Sequence, residues 1–360
     1  MRWNLSNFRR PVLGSVLSVG LLGSASALAA PAGAAPAQQE APVTVVATGL
    51  SGPRQLAFTS DKHLVVAESD AGRVTEVDVR SGKRTTRLSG LHVPQGVDSR
   101  GSELFVTQGQ ASLPTGEPDI GSTTGQDLLA AKGGTTAQLS DLRAYELAHN
   151  PDGQLQFGPN GKPVDSLSNP YYVLADTSRL LVADGGGNDV LQVDRRTGQT
   201  RTWFVPPTIT TGACATLPEN TPGTFGCDPV PTGIAKAPDG TYWVSTFGGE
   251  ASGSAVLYHL SAAGTLLESK PGFTNLTGVA VGEDGTVYAS QAFAPQAGGA
   301  PGALIRIAPD GTRTTAAVPL PTGLAYRGGA LYVSALSLAG PGAGQILRVT
   351  EAAFAPPVGT

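Results

Sequence analysis

Histidine, methionine and cysteine are scarce in this 360-residue sequence, with four, one and two copies. The histidines, His63, His92, His149 and His259, are scattered, and none is tied by spacing to a nucleophile or a second ligand. This speaks against a Ser-His-Asp triad and against a zinc centre. The two cysteines, Cys214 and Cys227, stand in a segment rich in Pro, Thr and Gly, and without a C-x-x-C pair redox catalysis is disfavoured. In an exported chain they are expected to pair, a bond that restricts the unfolded chain by about 3 kcal/mol, less any strain. Two free thiols are the alternative.

Charge is also sparse: 14% of residues are charged, with 24 basic against 28 acidic, for a net −4. No basic stripe is present to displace phosphate counterions, so a nucleic-acid partner is not expected. No basic amphipathic run suggests an anionic membrane. Past the amino terminus no apolar run approaches the roughly 20 residues of a transmembrane helix.

Arg2, Arg9 and Arg10 precede an apolar stretch from Val12 to Leu22, followed by Ala27-Leu28-Ala29. This is the order of a secretory signal, expected over residues 1–29, with a retained anchor as the alternative. Residues 30–42, rich in Ala, Pro and Gln, are expected to be an unstructured lead-in. Cleavage would leave 21 basic residues against 28 acidic, a net −7. The expected location is outside the cytoplasm, secreted or periplasmic.

Glycine and proline fill 48 and 28 positions without a collagen period, which points to many strands and turns. Val230 to Phe247 reads as two short strands joined by a Pro238-Asp239-Gly240 turn. The pattern returns at Gly278 to Ala289 and Gly323 to Val333, with weaker copies from Arg54, Gln95 and Tyr171. Matching second-strand positions are Val66, Val106, Val182, Val244, Ala289 and Val333, separated by 40, 76, 62, 45 and 44 residues. Three of these intervals fit a single four-stranded blade, and the two long ones must hold insertions. The expected fold is all-β: a six-bladed β-propeller of four-stranded antiparallel blades over 43–350, with a tail at 351–360. The last blade lacks a convincing fourth strand, and Val43 to Ala47 is expected to fill that outer place and close the ring. One short helix is expected over Ser140 to His149, capped by Ser140, in a top-face insertion.

Every long insertion falls on one face of such a propeller, while the other face carries tight turns. Binding residues are therefore expected at the decorated mouth. Inner-strand starts and second-strand ends supply Arg54, Gln95, Gln108, Tyr171, Thr232, Thr246, Asn275 and Thr322 as candidate ligand contacts. Glu68 and Asp184 occupy matching positions, and with Asn169 and Asn188 they offer an oxygen-only Ca²⁺ set. Ordinary hydrogen bonding at the blade ends, with Asp184 fixing the Gly185-Gly186-Gly187 turn, is the other reading. Tyr171 and Tyr172 are read either as stacking on a ligand or as covering the helix. Trp203 and Trp243 are expected to pack.

Several segments, taken together and in order, resemble the ScyD/ScyE family of exported proteins, named from the scytonemin sunscreen-pigment cluster. They are Leu50 to Phe58, Asp141 to Glu146 with Asn150-Pro-Asp-Gly, Ser168 to Tyr171, Val182 to Asp189 and Val230 to Ala235. The resemblance covers about Val43 to Val349 and implies export and a six-bladed propeller, and little about chemistry. More broadly the chain is similar to NHL-repeat and gluconolactonase-like propellers. The lactonases' central divalent ion, held by Glu, Asn and Asp, would fall to Glu68, Asn169 and Asp184. The leading expectation is a propeller that binds a small molecule, glycan or envelope component at the top face. The alternatives are a metal-assisted hydrolase or lyase in the central mouth and a docking scaffold for another exported protein.

Overall fold

The computed structural model describes residues 41–113, 118–249, 251–293 and 301–354. The expected signal segment and most of the lead-in lie outside the described residues. Six sheets of four antiparallel strands radiate from one axis. The first blade holds β2 (Pro53–Phe58), β3 (His63–Glu68), β4 (Arg73–Asp78) and β5 (Arg84–Ser89). The second holds β6 (Pro94–Arg100), β7 (Glu103–Gln110), β8 (Gly125–Lys132) and β9 (Thr135–Asp141), followed by helix α1 (Leu142–His149). The third is β10 (Pro170–Ala175), β11 (Arg179–Asp184), β12 (Asp189–Asp194) and β13 (Thr200–Phe204). The fourth is β14 (Pro231–Lys236), β15 (Tyr242–Thr246), β16 (Ala255–Leu260) and β17 (Leu266–Phe273). The fifth is β18 (Leu276–Val281), β19 (Val287–Phe293), β20 (Pro301–Ile307) and β21 (Arg313–Ala317). The sixth takes β22 (Leu324–Arg327), β23 (Ala330–Ala335) and β24 (Gly344–Thr350) from the carboxy-terminal end.

Its outer strand is β1 (Val43–Leu50), paired antiparallel with β24 from Val43 opposite Val349 to Leu50 opposite Gly344. The amino-terminal ribbon thus closes the circle, as the missing fourth strand required. Ala47 and Leu50 are buried with Leu56, Leu64 and Ile346, so the seam between the sixth and first blades is a packed layer like the others. Each of the six gaps between blades holds one apolar cluster. Both faces of every blade are covered, and side-chain alternation along a strand feeds two gaps in turn. Val65 joins the layer shared with the second blade, while Leu64 and Val66 join the layer shared with the sixth.

The inner strands touch in a ring, and small residues let them do so. A Cβ on Gly233 would lie 2.9 Å from Gly278 Cα, and one on Gly278 would lie 2.6 Å from the Thr322 carbonyl oxygen. The preceding threonines bond across the same gaps. Thr232 Oγ1 donates to Leu276 O (2.8 Å), Thr277 Oγ1 to Pro321 O (2.9 Å) and Thr322 Oγ1 to Pro53 O (3.0 Å).

Helix α1 starts two residues later than expected. Asp141 is its cap, accepting from Ala144 N at 2.8 Å, whereas Ser140 belongs to β9 and bonds Thr200 with its hydroxyl. A carboxylate accepts the helix's free N–H groups and favours its dipole, which gives Asp141 the place. Leu142 is buried between the second and third blades, and Tyr145 reaches Thr202. Neither Tyr171 nor Tyr172 covers the helix: Tyr172 packs between the third and fourth blades. Trp203 and Trp243 are buried in interblade layers, Trp243 stacked on His259 at 4.4 Å. Beyond β24, Glu351–Phe354 forms a 3-10 turn whose Phe354 is buried against the fifth and sixth blades. No described helix is long and apolar enough to cross a membrane.

Candidate functional site

Five of the six blades show the same irregularity at the decorated end of the inner strand. Pro94 pairs with Gln108, Pro170 with Asp184, Pro231 with Thr246 and Leu276 with Gln291, and in each case the register then skips one residue. In the first blade Pro53 pairs with Glu68 before a skip to Leu56. Such a bulge leaves its extra residue out of the ladder and re-aims the side chain. The residues released are Arg54, Gln95, Tyr171, Thr232 and Thr277, and Thr322 stands at the equivalent place in the sixth blade. All six line one cavity of about 200 Å³ at the upper mouth.

The rest of the wall is largely apolar, with Val93, Val230, Pro231, Phe247, Phe293 and Leu338, together with Gln110, Ser166 and Asn169. Arg54 is the one charged residue among the described lining. One of its N–H donors reaches Ser337 O at 3.1 Å. Burial raises the Tyr171 phenol, and the Arg54 cation offsets part of that rise, so the phenol faces the cavity neutral.

Of the expected ligand contacts, Arg54, Gln95, Tyr171, Thr232 and Thr322 come together here. Gln108, Thr246 and Asn275 do not line the cavity. Gln108 is buried between His92 N (2.6 Å) and Asp127 Oδ1 (2.9 Å). Thr246 clasps Val256 N and O, at 2.9 and 3.0 Å, inside its own blade. Asn275 has φ 50° and a buried Oδ1 without a partner. Its place is taken by Thr277, which lies 45 residues from both Thr232 and Thr322. That equal spacing in the Thr-Gly pairs was the signal that could have found it.

Glu68 and Asp184 are turned into their blades. Glu68, fully buried, takes Arg73 Nε and Nη2 at 2.7 and 2.8 Å, Ser51 N at 2.8 Å and the Thr75 hydroxyl. Burial works against its charge, and these partners together hold its carboxyl below the ordinary value. Asp184 accepts from Asn169 N, Gly186 N and Gly187 N at 2.6, 3.0 and 3.1 Å and from Ser168 Oγ at 2.5 Å. Asn169 lines the cavity, but its Oδ1 takes Gln110 N at 3.0 Å. Asn188 lies behind the wall, donating to Asp152 Oδ2 at 3.1 Å and accepting from Val230 N at 3.3 Å. These four residues do not fit a shared Ca²⁺. A guanidinium already neutralises Glu68, and four donors fill Asp184. Their positions match the other reading, hydrogen bonding at the blade ends.

The disulfide joins Cys214 and Cys227, both buried, with Cα atoms 5.2 Å apart. It braces the insertion between the third and fourth blades through the pairing of Ile209 with Cys227.

No protein-family model matches the chain, and no curated protein matches it. Solved structures do share its architecture. A gluconolactonase from Xanthomonas campestris has a TM-score of 0.55 at 11% identity, over 86% of this chain and 88% of that one. Regucalcin, a calcium-binding protein from Agrobacterium tumefaciens, has 0.52 at 13%, over 85% and 90%. The PQQ-bound aldose sugar dehydrogenase of Streptomyces coelicolor has 0.52 at 15%, over 86% and 97%. At such identities the likeness is one of fold alone.

Proposed function

We propose that this chain is an exported binding propeller of the ScyD/ScyE type. Its upper cavity takes a small molecule, or the end of a glycan or envelope component, that has an apolar body and an anionic or carbonyl group. The observation that carries this reading is the ring of six side chains, five of them released by bulges, which puts one guanidinium, one phenol, one amide and three hydroxyls around a mostly apolar chamber. Such sites orient a guest through a few polar groups while apolar walls supply the affinity. Arg54 would hold the anionic end by charge-assisted hydrogen bonds, and Tyr171 would lie along its body.

The test is a calorimetric titration of a panel of aromatic and sugar carboxylates, each beside its neutral amide. Carboxylates should bind more tightly than their amides, and Arg54→Ala should remove that preference. A panel in which the amides bind as well, or an Arg54→Ala variant that binds unchanged, would overturn it.

A hydrolase or lyase reading draws on the likeness in fold to the gluconolactonase. The described lining offers it no carboxylate or imidazole to act as a base or hold a metal. Turnover of glucono-lactone that fails in a Tyr171→Phe or Arg54→Ala variant would reverse the order of the two readings.

A further inference from the structure

Behind the wall of the upper cavity, α1, residues 150–167 and the Gly185–Asp189 connection of β11 to β12 border a second, partly open space. It holds about 20 Å³, room for one ion or water. Its lining includes Glu146, Asp152, Asp165, Gln154, Asn188 and Asn220, which offer oxygen as their only ligand atoms for a metal.

Next to it stands Asp189, 1% exposed, with neither carboxylate oxygen partnered. Glu146, 5% exposed, takes Gln156 Nε2 on Oε1 at 2.9 Å and points Oε2 at the same spot. The spot is marked by a glycine. A Cβ on Gly187 would lie 3.2 Å from Glu146 Oε2 and 3.6 Å from Asp189 Oδ1. Two buried carboxylates therefore converge where a side chain is missing, beside the Asp184 carboxyl, whose Cγ would lie 3.7 Å from the same point, and Asp152 lines the adjoining cavity with Glu146. No ion pair among the described residues reaches Glu146, Asp152 or Asp189.

Buried like charges without a counter-charge either take protons or bind a cation. Burial raises both Asp189 and Glu146, and the neighbouring carboxylates add to the rise, so the group lacks positive charge. Oxygen donors alone, several of them carboxylates, suit a hard divalent ion larger than Mg²⁺. No three acidic side chains among the described residues stand at the spacing of a formed metal site, so binding would draw them inward.

We propose that one Ca²⁺ binds between Glu146, Asp152 and Asp189 and clamps α1 and the 150–167 segment onto the third blade. This site shares none of its three carboxylates with the Glu68 and Asp184 pair. It is independent of what the upper cavity binds, though Ser166 borders both spaces.

The test uses the full mature chain stripped with EDTA, titrated with Ca²⁺ in a calorimeter and melted with and without it. One ion per chain is expected, with a rise in Tm of roughly 4 °C at a hundredfold excess over Kd. Mg²⁺ should do much less. Asp189→Asn should weaken binding roughly tenfold or more and remove the Ca²⁺-dependent rise, while its metal-free Tm equals or exceeds that of wild type. Glu146→Gln serves as the second variant should Asp189→Asn fail to fold. A wild-type chain with neither heat nor a shift in Tm, the signature of a carboxyl that simply holds a proton, would sink the proposal. So would Ca²⁺ binding left intact in both variants.

Discussion

The Thr322 hydroxyl donates to the Pro53 carbonyl at 3.0 Å, across 269 residues of sequence, and joins the last inner strand to the first. Thr232 and Thr277 make the same bond to the next blade in line. Three of the six groups that rim the cavity therefore also hold the ring together, and none of these threonines can be altered without touching the seam.

Thr277→Val should cost about 1 kcal/mol, because the buried Pro321 carbonyl loses its donor while the shape is kept. Gly278→Ala should cost more, about 2 kcal/mol, since its methyl would press on the Thr322 carbonyl and push two blades apart. Urea denaturation of the two variants checks both the values and their order.

Removing Val43–Leu50 should lower the melting midpoint sharply. Leu50 is fully buried, and its loss alone is worth about 2 kcal/mol or more. The outer edge of β24 would also be open to pairing with other chains, so light scattering should reveal association. An unchanged midpoint would show that the ring closes without this strand.

Arg73→Ala leaves the buried Glu68 carboxylate without its cation. A fully buried pair broken this way costs about 3–5 kcal/mol. Arg73 is one-third exposed, so about 2 kcal/mol is expected after solvent screening. Adding Glu68→Gln should restore part of the loss, and a double-mutant cycle by thermal or chemical denaturation measures it.

Asp98 sits at the lower mouth, half-buried, accepting from Ala175 N and Ser99 N, both at 2.7 Å. Burial nonetheless pushes its carboxyl up to about 6, from 3.8. A raised acid favours the folded state at low pH, and that contribution fades as pH climbs from about 4 through 6. Asp98→Asn does not titrate. Its melting temperature should therefore gain on wild type across this range and run parallel to it above pH 7. A constant difference from pH 4 to 7 would contradict the raised value.

The blade count was legible because its causes are local. Pro238-Asp239-Gly240 and Glu283-Asp284-Gly285 make tight turns between apolar runs, and their near-regular spacing counts sheets. The ring closure was legible too, since a blade short of one strand and a β-rich ribbon with no partner leave one solution. The helix cap was misjudged by one residue: Ser140 and Asp141 both have capping side chains, and only the end of β9 decides between them.

By itself, then, the sequence determined six blades, a decorated face and the residues that start each inner strand. Tertiary structure decided which side chains look into the channel. Strand parity alternates with every residue, and a bulge of one residue reverses it, so Gln95 and Tyr171 reach the cavity while Gln108 and Asp184 turn into their blades. Tertiary structure also brought the Glu146 and Asp189 carboxylates to the same glycine, Gly187. Their convergence depends on a helix docking against a strand connection some forty residues further along the chain, a relation that no local pattern encodes.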